Sequence, residues 1–463
     1  MRISIVTLFP ALYEPFLSTS LVHRAVEAGQ VSFSLENLFA HCSPKERVDS
    51  PTFGHNAGML IKPEIMQKAI EIQEAAHGPS YKIFFSPAGK KLDQHLLKKL
   101  AHELQRKTAE KDSLLSQVGG NLPEVSQTDL SAGNFHHKKH IMLLPARYEG
   151  MDARIEEEYA DLVISIGDYV LMGGDLPAMV LIEGLLRLIP GVVGKQESVD
   201  EDSFSGAFVD HPEYTAPVVW KGRQVPDIVR SGNHAEIATW RRKVAAEKSV
   251  VHHFNWVRSH VVKKEDIALA ASCIPPHYVV LMHSQIMLKE GQEGTSSVTS
   301  LDIHDIARSA ATYGLKKYFI VTPLEDQQKI VKKLLEFWQT EVGIDYNPHR
   351  HGALKSVILV ETLEQALDQI EQEEKKKPLM IATSAKVHEN VPGITYYDQE
   401  KVWSLGRPVV LLLGTARGLA PSLVERCDFL LGPIKGFSTF NHLSVRSAAA
   451  IIFDRWFGIN LRT

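Results

Sequence analysis

An α/β architecture, with two strand–helix units and a helical stretch between them, is what this sequence predicts. Three observations predict it. Short apolar runs such as 2–8, 141–144, 278–282 and 409–413 read as buried parallel strands. Segments with helical spacing separate them, and several strands run into glycine-bearing turns at their C-terminal ends, where parallel sheets bind ligands.

The chain has 463 residues, 44% hydrophobic and 23% charged, which suits two or three globular domains of a soluble protein. A formal net charge of -4 leaves nucleic-acid binding open, because that depends on local basic patches. Cys42, Cys273 and Cys427 are far apart and lack CxxC spacing, so neither a disulfide framework nor a zinc site is expected. The N-terminus reads as a strand rather than a signal peptide, and no apolar run approaches the roughly 18 residues of a membrane helix. A cytoplasmic protein without membrane attachment is expected.

Taken in order, the strand at 2–8 leads into a helical segment ending near Gly29, and 31–38 supplies the next strand. The polar, turn-rich stretch 42–60 carries Asp49, His55, Asn56 and Gly58, and reads either as a functional loop or as a solvated connection. The strand 82–85 ends in Ser86-Pro87-Ala88-Gly89. Residues 105–140 turn polar and aperiodic, which predicts an exposed, disordered insertion. His136, His137 and His140 lie in it among lysines, and no metal site is expected from them. The strand 141–144 runs into Arg147-Tyr148-Glu149-Gly150, which suits either a site or a salt-bridged turn.

The stretch 165–204 concentrates the most information. A strand at 163–166 is followed by Gly167 and Gly173-Gly174, then by a helix at 177–189 that is apolar around nearly its whole circumference and so predicted to be buried. Arg187 in its last turn suits a dipole-complementing cation, and Asp202 suits a helix N-cap. Beyond it, 211–230 is proline-rich, and a helix begins with Asn233 as cap and Glu236 as its box partner. Trp240, Arg241, Arg242, Lys243 and Lys248 make that helix either a phosphate-tracking face or a solvated one. A linker is expected at 272–277.

From 278 the strand–helix alternation resumes: strands at 318–321, 357–360, 379–383 and 409–413, helices at 303–313, 327–342, 363–374 and 441–453. The halves echo each other. A buried strand ends at Arg147 and Gly150 in one and at Arg417 and Gly418 in the other, and Asp161 and Asp428 each open the next strand. Two copies of one architecture predict duplicated domains.

Specific strings now carry a family resemblance. Residues 1–271 resemble the bacterial tRNA guanine-N1 methyltransferases of the SPOUT class, the TrmD family, through LFP (8–10), GML (58–60), SPAGKKLDQ (86–94), RYEGMDAR (147–154), SIGDYVLMGGDLPAM (165–179), IPGVVG (189–194), EDSF (201–204) and SGNHAEI (231–237). Residues 278–458 resemble a less characterised SPOUT-like RNA methyltransferase family, through 295–314, LLLGTARGL and NHLSVRSAAAIIFDRW. The resemblance implies two trefoil-knotted SPOUT-type α/β domains at 1–205 and 278–463, with a helical tRNA-binding segment at 206–271 between them. It implies a homodimer with active sites at its interface, S-adenosyl-L-methionine as donor, and guanine N1 at tRNA position 37, beside the anticodon, as target.

Residue by residue, the resemblance implies a donor site of Phe85, Ser86, Pro87, Ala146, Glu149, Ile166, Gly167, Asp168, Tyr169, Val170, Leu171, Gly173 and Gly174. It makes Asp202 the general base and Arg187 the group stabilising charge on O6. Asp49, Tyr148, Glu149, Ser231, Asn233 and His234 would contact the tRNA, and the basic segment would dock its anticodon arm. The sequence departs from the family at His55 and Asn56, which replace glycines, and at Ala146. Two other readings stay open: a non-enzymatic RNA-binding or ribosome-assembly protein, and a methyltransferase with a shifted target base. The second α/β domain is either a second methyltransferase or an RNA-binding or assembly domain.

Overall fold

Continuous apolar runs here do become strands covered on both faces. The computed structural model describes residues 1–54, 57–109, 140–193, 202–289, 291–386 and 388–460, which form two compact units, Met1–Asp202 and Ser203–Thr463. The His55, Asn56 and 194–201 segments, and 110–139 of the expected insertion, lie outside the described residues. No helix among the described residues is long and apolar enough to cross a membrane.

In the first unit the strands are β1 (Arg2–Thr7), β2 (Ser32–Asn37), β3 (Ser80–Lys91), β4 (His140–Leu144) and β5 (Leu162–Ser165), all parallel, in the order β2-β1-β4-β3-β5. Side chains alternate between two cores: Ile3, Ile5, Ile83 and Leu143 face one, and Val6, Phe84, Met142 and Leu144 the other. Helices Ser20–Glu27, Gln94–Ala109 and Asp175–Arg187 bring apolar faces to the first core; Pro63–His77 covers the second. That last helix went unread in the sequence, because Glu64, Lys68, Glu71 and Glu74 alternate with the positions that pack. The insertion is shorter at both ends than its polarity suggested: the helix continues to Ala109, and His140 is a buried strand residue. The His140 imidazole bonds Ser4 Oγ and the Gly78 carbonyl, and burial lowers its pKa.

The second unit begins with irregular chain and the helices His234–His252, Phe254–His260 and Lys264–Cys273. Its strands are β6 (His277–Met282), β7 (Lys317–Val321), β8 (Val357–Val360), β9 (Leu379–Thr383), β10 (Gly393–Ile394), β11 (Val409–Gly414) and β12 (Phe429–Leu431). They form a parallel sheet in the order β8-β7-β6-β11-β9-β12-β10. Ranked by chain position, the central five follow 2-1-4-3-5, the permutation of the first sheet. Val250, Phe254, Val257, Val261 and Ala270 of the helices share one core with β6, β9 and β11. Arg258 fastens them further: its guanidinium donates to the carbonyls of Asp454, Arg455 and Gly458 at the C-terminus of helix Val445–Phe457. That helix starts four residues later than its composition suggested, because Ser444 caps it by accepting from the Ser447 amide.

Candidate functional site

The C-terminal ends of β3, β4 and β5 converge on a cavity of about 420 Å³. Phe85, Ser86 and Pro87 continue β3 into it, 146–151 follow β4, and 165–167, 169–171 and 173–174 follow β5. Gly173 is required there, since a Cβ would come within 2.4 Å of Arg147 Cδ. Every donor-site residue named from the sequence lines this cavity except Asp168, which is exposed and pairs with Lys91 at 3.3 Å. Met151, Glu156 and Pro177 also line it and were not anticipated.

The turn after β4 is tightly specified. Tyr148 adopts φ +60° and Gly150 φ +118°, and the Gly150 amide closes the turn on the Arg147 carbonyl at 3.0 Å. The Glu149 amide donates to the Met59 carbonyl at 3.1 Å, which stitches the turn to the hairpin Asp49–Pro51/Met59–Ile61. Arg147 lies over the Phe9 ring at 4.9 Å and donates from Nε to Asp175 at 2.7 Å. Asp175 is 1% exposed and also accepts from Thr7 Oγ1 at 2.7 Å and the Tyr13 hydroxyl at 3.1 Å. Sequence reasoning passed over this carboxylate. Its signal was an acid at the head of a helix whose next seven residues are all apolar.

Helix Asp175–Arg187 corrects one expectation. It buries Ala178, Leu181, Ile182, Leu185 and Leu186 but exposes Leu176 and Val180, so it has an uncovered apolar face. Arg187 is consequently half exposed rather than a cation inside a core, and it donates twice to Asp202, Nε to Oδ2 at 2.6 Å and Nη2 to Oδ1 at 2.8 Å. Hydrogen bonding to the Asp202 carboxylate holds the guanidinium above its ordinary pKa, against an opposing effect of burial. No helix starts at Asp202 among the described residues, so it is an ion-pair partner rather than a cap. The two residues sequence analysis singled out meet each other, outside the cavity lining.

The remaining candidates are distributed. Asp49 is buried and accepts from Arg47 Nε at 2.9 Å and Nη2 at 3.2 Å. Tyr148 and Glu149 line the cavity. In the second unit Asn233 caps its helix by accepting from the Glu236 amide at 3.3 Å, Ser231 Oγ accepts from the Asn233 amide, and His234 opens the helix. The basic run is partly self-neutralised: Arg241 pairs with Glu213, Arg242 with Asp266 and Lys243 with Glu247. An unanticipated hairpin, Val219–Trp220/Arg223–Gln224, exposes Trp220 with Lys221 Nζ 5.0 Å above its ring. Among the described residues, no group of three His, Cys, Asp or Glu side chains could hold a metal ion.

The residues lining this cavity fit S-adenosyl-L-methionine chemically. Its volume falls in the range of small-molecule sites, Phe85, Ile164, Ile166, Leu171 and Pro177 give apolar walls, and Ser86 and Glu149 supply polar groups.

Comparison with known proteins follows this geometry. The family model described as tRNA (Guanine-1)-methyltransferase TrmD matches residues 1–108 and 105–258, and the one described as SAM-dependent RNA methyltransferase matches 276–458. The tRNA (guanine-N(1)-)-methyltransferase of Oleidesulfovibrio alaskensis is 35% identical over 464 residues, 99% of either chain. That of Nitratidesulfovibrio vulgaris is 34% identical over 466 residues, again 99% of each. That of Bacillus licheniformis is 34% identical over 268 residues, covering 58% of this chain and 96% of its own.

Proposed function

This chain belongs to the tRNA (guanine-N1)-methyltransferase family, a family of enzymes, and from that premise we propose that it methylates guanine N1 at tRNA position 37 using S-adenosyl-L-methionine. The observation that carries the reading is the Arg187–Asp202 pair, a donor and an acceptor presented side by side. Guanine offers the complementary edge, with O6 as acceptor and N1–H as donor.

Bound donor supplies an electrophilic methyl group, whose carbon gains a bond to N1 as its bond to sulfur breaks. Asp202 takes the N1 proton, so the ring does not carry a positive charge through the transfer. Arg187 donates to O6, where negative charge grows as that proton leaves. For the substrate to reach them the pair must open on one side, and its partial exposure makes that opening cheap. Glu149 and Tyr148 hold the target base at the cavity mouth, and Asp49 reads the neighbouring guanine.

The reading extends to architecture. Two trefoil-knotted SPOUT-type domains are part of it, supported by the placement of β4 between β1 and β3 in space though it follows both in sequence. So is a homodimer, supported by the uncovered Val170, Met172, Leu176 and Val180. The helical segment 206–271, with Ser231, Asn233 and His234 at its start, docks the anticodon arm, and the linker expected at 272–277 narrows to 274–276, because helix Lys264–Cys273 and β6 take its ends. The enzyme works in the cytoplasm.

Methyl transfer to tRNA transcripts with guanine or adenine at position 37, followed by identification of the modified nucleoside, tests the proposal. Guanine-only transfer yielding 1-methylguanosine is expected; product from the adenine transcript, or none from either, refutes it.

A further inference from the structure

The turn after β11 repeats the turn after β4 in its closing bond and backbone angles, and each is held by a hairpin strand, which runs parallel to the turn in the first unit and antiparallel in the second. In the second unit the Gly418 amide donates to the Thr415 carbonyl at 2.9 Å, the Arg417 amide to Met287 O at 3.1 Å, and the Met287 amide to Gly418 O at 2.9 Å. Their counterparts in the first unit are Gly150 to Arg147 at 3.0 Å, Glu149 to Met59 at 3.1 Å, and Ile61 to Gly150 at 3.1 Å. Ala416 and Gly418 take φ +51° and +96°, as Tyr148 and Gly150 take +60° and +118°. Each turn is stitched to a two-stranded hairpin, Ile286–Met287/Glu293–Gly294 in the second unit. The likeness continues into the next strand, where Asp428 exchanges bonds with the Met380 backbone as Asp161 does with that of Lys82.

On this shared frame one functional atom set is inverted. Arg417 stands where Glu149 stands, exposed and without an ion pair among the described residues. The frame beneath it is rigid: Thr415 Oγ1 donates to the Met282 carbonyl at 3.0 Å and meets Ser296 Oγ at 2.7 Å, and Ser296 in turn meets the fully buried His283 at 3.0 Å. The same sheet edge collects Lys386 after β9, and Lys435 with the exposed rings of Phe437 and Phe440 after β12. Cations beside exposed aromatic faces suit RNA.

We propose that the second unit carries its own RNA-recognition site at 414–419, in which Arg417 grips an acceptor-only group, either the O6/N7 edge of a guanine or a phosphate. A carboxylate at this place in the turn takes N–H donors, and a guanidinium takes oxygen and nitrogen acceptors, bidentately. The two units therefore do not duplicate one specificity. The contrast rests on the reading of Glu149 as a base-facing residue; the Arg417 site itself does not.

Hydrogen exchange of the full chain, titrated with a short RNA of alternating guanosine and adenosine or with a pyrimidine RNA of equal length, tests this. Amides at 409–424 should gain protection. In Arg417→Ala the midpoint of that protection should rise about 5- to 100-fold, the range of a lost bidentate contact, and Arg417→Lys should recover part of it. An effect confined to the purine RNA identifies the guanine edge, and an equal effect on both identifies phosphate; either supports the site. Absence of protection at 409–424 in the intact chain, or protection undiminished in Arg417→Ala, overturns it. Amides at 141–154 report the first unit in the same samples, so an inert Glu149→Gln there would reveal failure of the Glu149 reading separately.

Discussion

Replacing Asp175 with alanine should damage the first unit more than any other single truncation near the cavity. Its carboxylate satisfies three groups: the hydroxyls of Thr7 and Tyr13, which are 1% and 0% exposed, and Arg147 Nε. Burial first, and then the neighbouring carboxylate, push the Tyr13 phenol up, so it is always a neutral donor. Asp175→Ala orphans that donor at a cost of about 1–3 kcal/mol. It also strands Arg147, a loss of about 3–5 kcal/mol for a fully buried pair, reduced here because a fraction of the Arg147 side chain reaches solvent. The sum is roughly 3–5 kcal/mol, or on the order of 10 °C in melting temperature for a unit of this size. Because Arg147 bridges to Gly173 and closes the turn on Gly150, donor binding should weaken as well. Thermal unfolding and donor-binding calorimetry on the full chain measure both effects. A variant that melts within 2 °C of the parent and binds donor equally well would show that this network does not hold the cavity.

Two further outcomes follow from close packing and buried imidazoles. Gly89→Ala would place a Cβ within 2.7–2.8 Å of the backbone of Val163 and Ile164, which cannot yield as a side chain could, so loss of folded protein or of donor binding is expected in a solubility and binding assay. His277 and His283 are pushed down to about 3 and about 4, in both cases by burial first, and at His277 Nε2 both Trp403 and Trp456 donate. Their folded pKa values lie below the unfolded value of 6.5, so their stability contribution is complete above pH 6.5 and is lost as the pH falls from there towards 4 and 3. Each should remove roughly 1.4 kcal/mol per pH unit in that window, visible as a falling urea midpoint of the second unit between pH 7 and pH 5; a flat midpoint would contradict the neutral, buried assignment.

Much of the fold was legible because strands covered on both faces must be apolar throughout: β1, β4, β6 and β11 announced themselves. The helix Pro63–His77 did not, since its charged outer face masks the positions that pack. A shared cavity was legible through the strings, as twelve of the thirteen residues named for a donor site line one space. Local pattern said less about charge. Asp175 fell outside the helix expected at 177–189 and so went unread, and the basic helix looked freer than it is, because Glu213 and Asp266 come from elsewhere in the chain. Composition around helix Asp175–Arg187 suggested full burial, whereas an apolar surface can equally be one left for a partner.

The central claim is that Asp202 is the base for guanine N1. Single-turnover methyl transfer to tRNA with guanine at position 37, comparing the parent with Asp202→Ala and recording donor affinity in parallel, tests it most directly. A fall of about 10²- to 10⁴-fold in the transfer rate with donor affinity retained is the predicted result. Transfer at the parental rate by Asp202→Ala would contradict it.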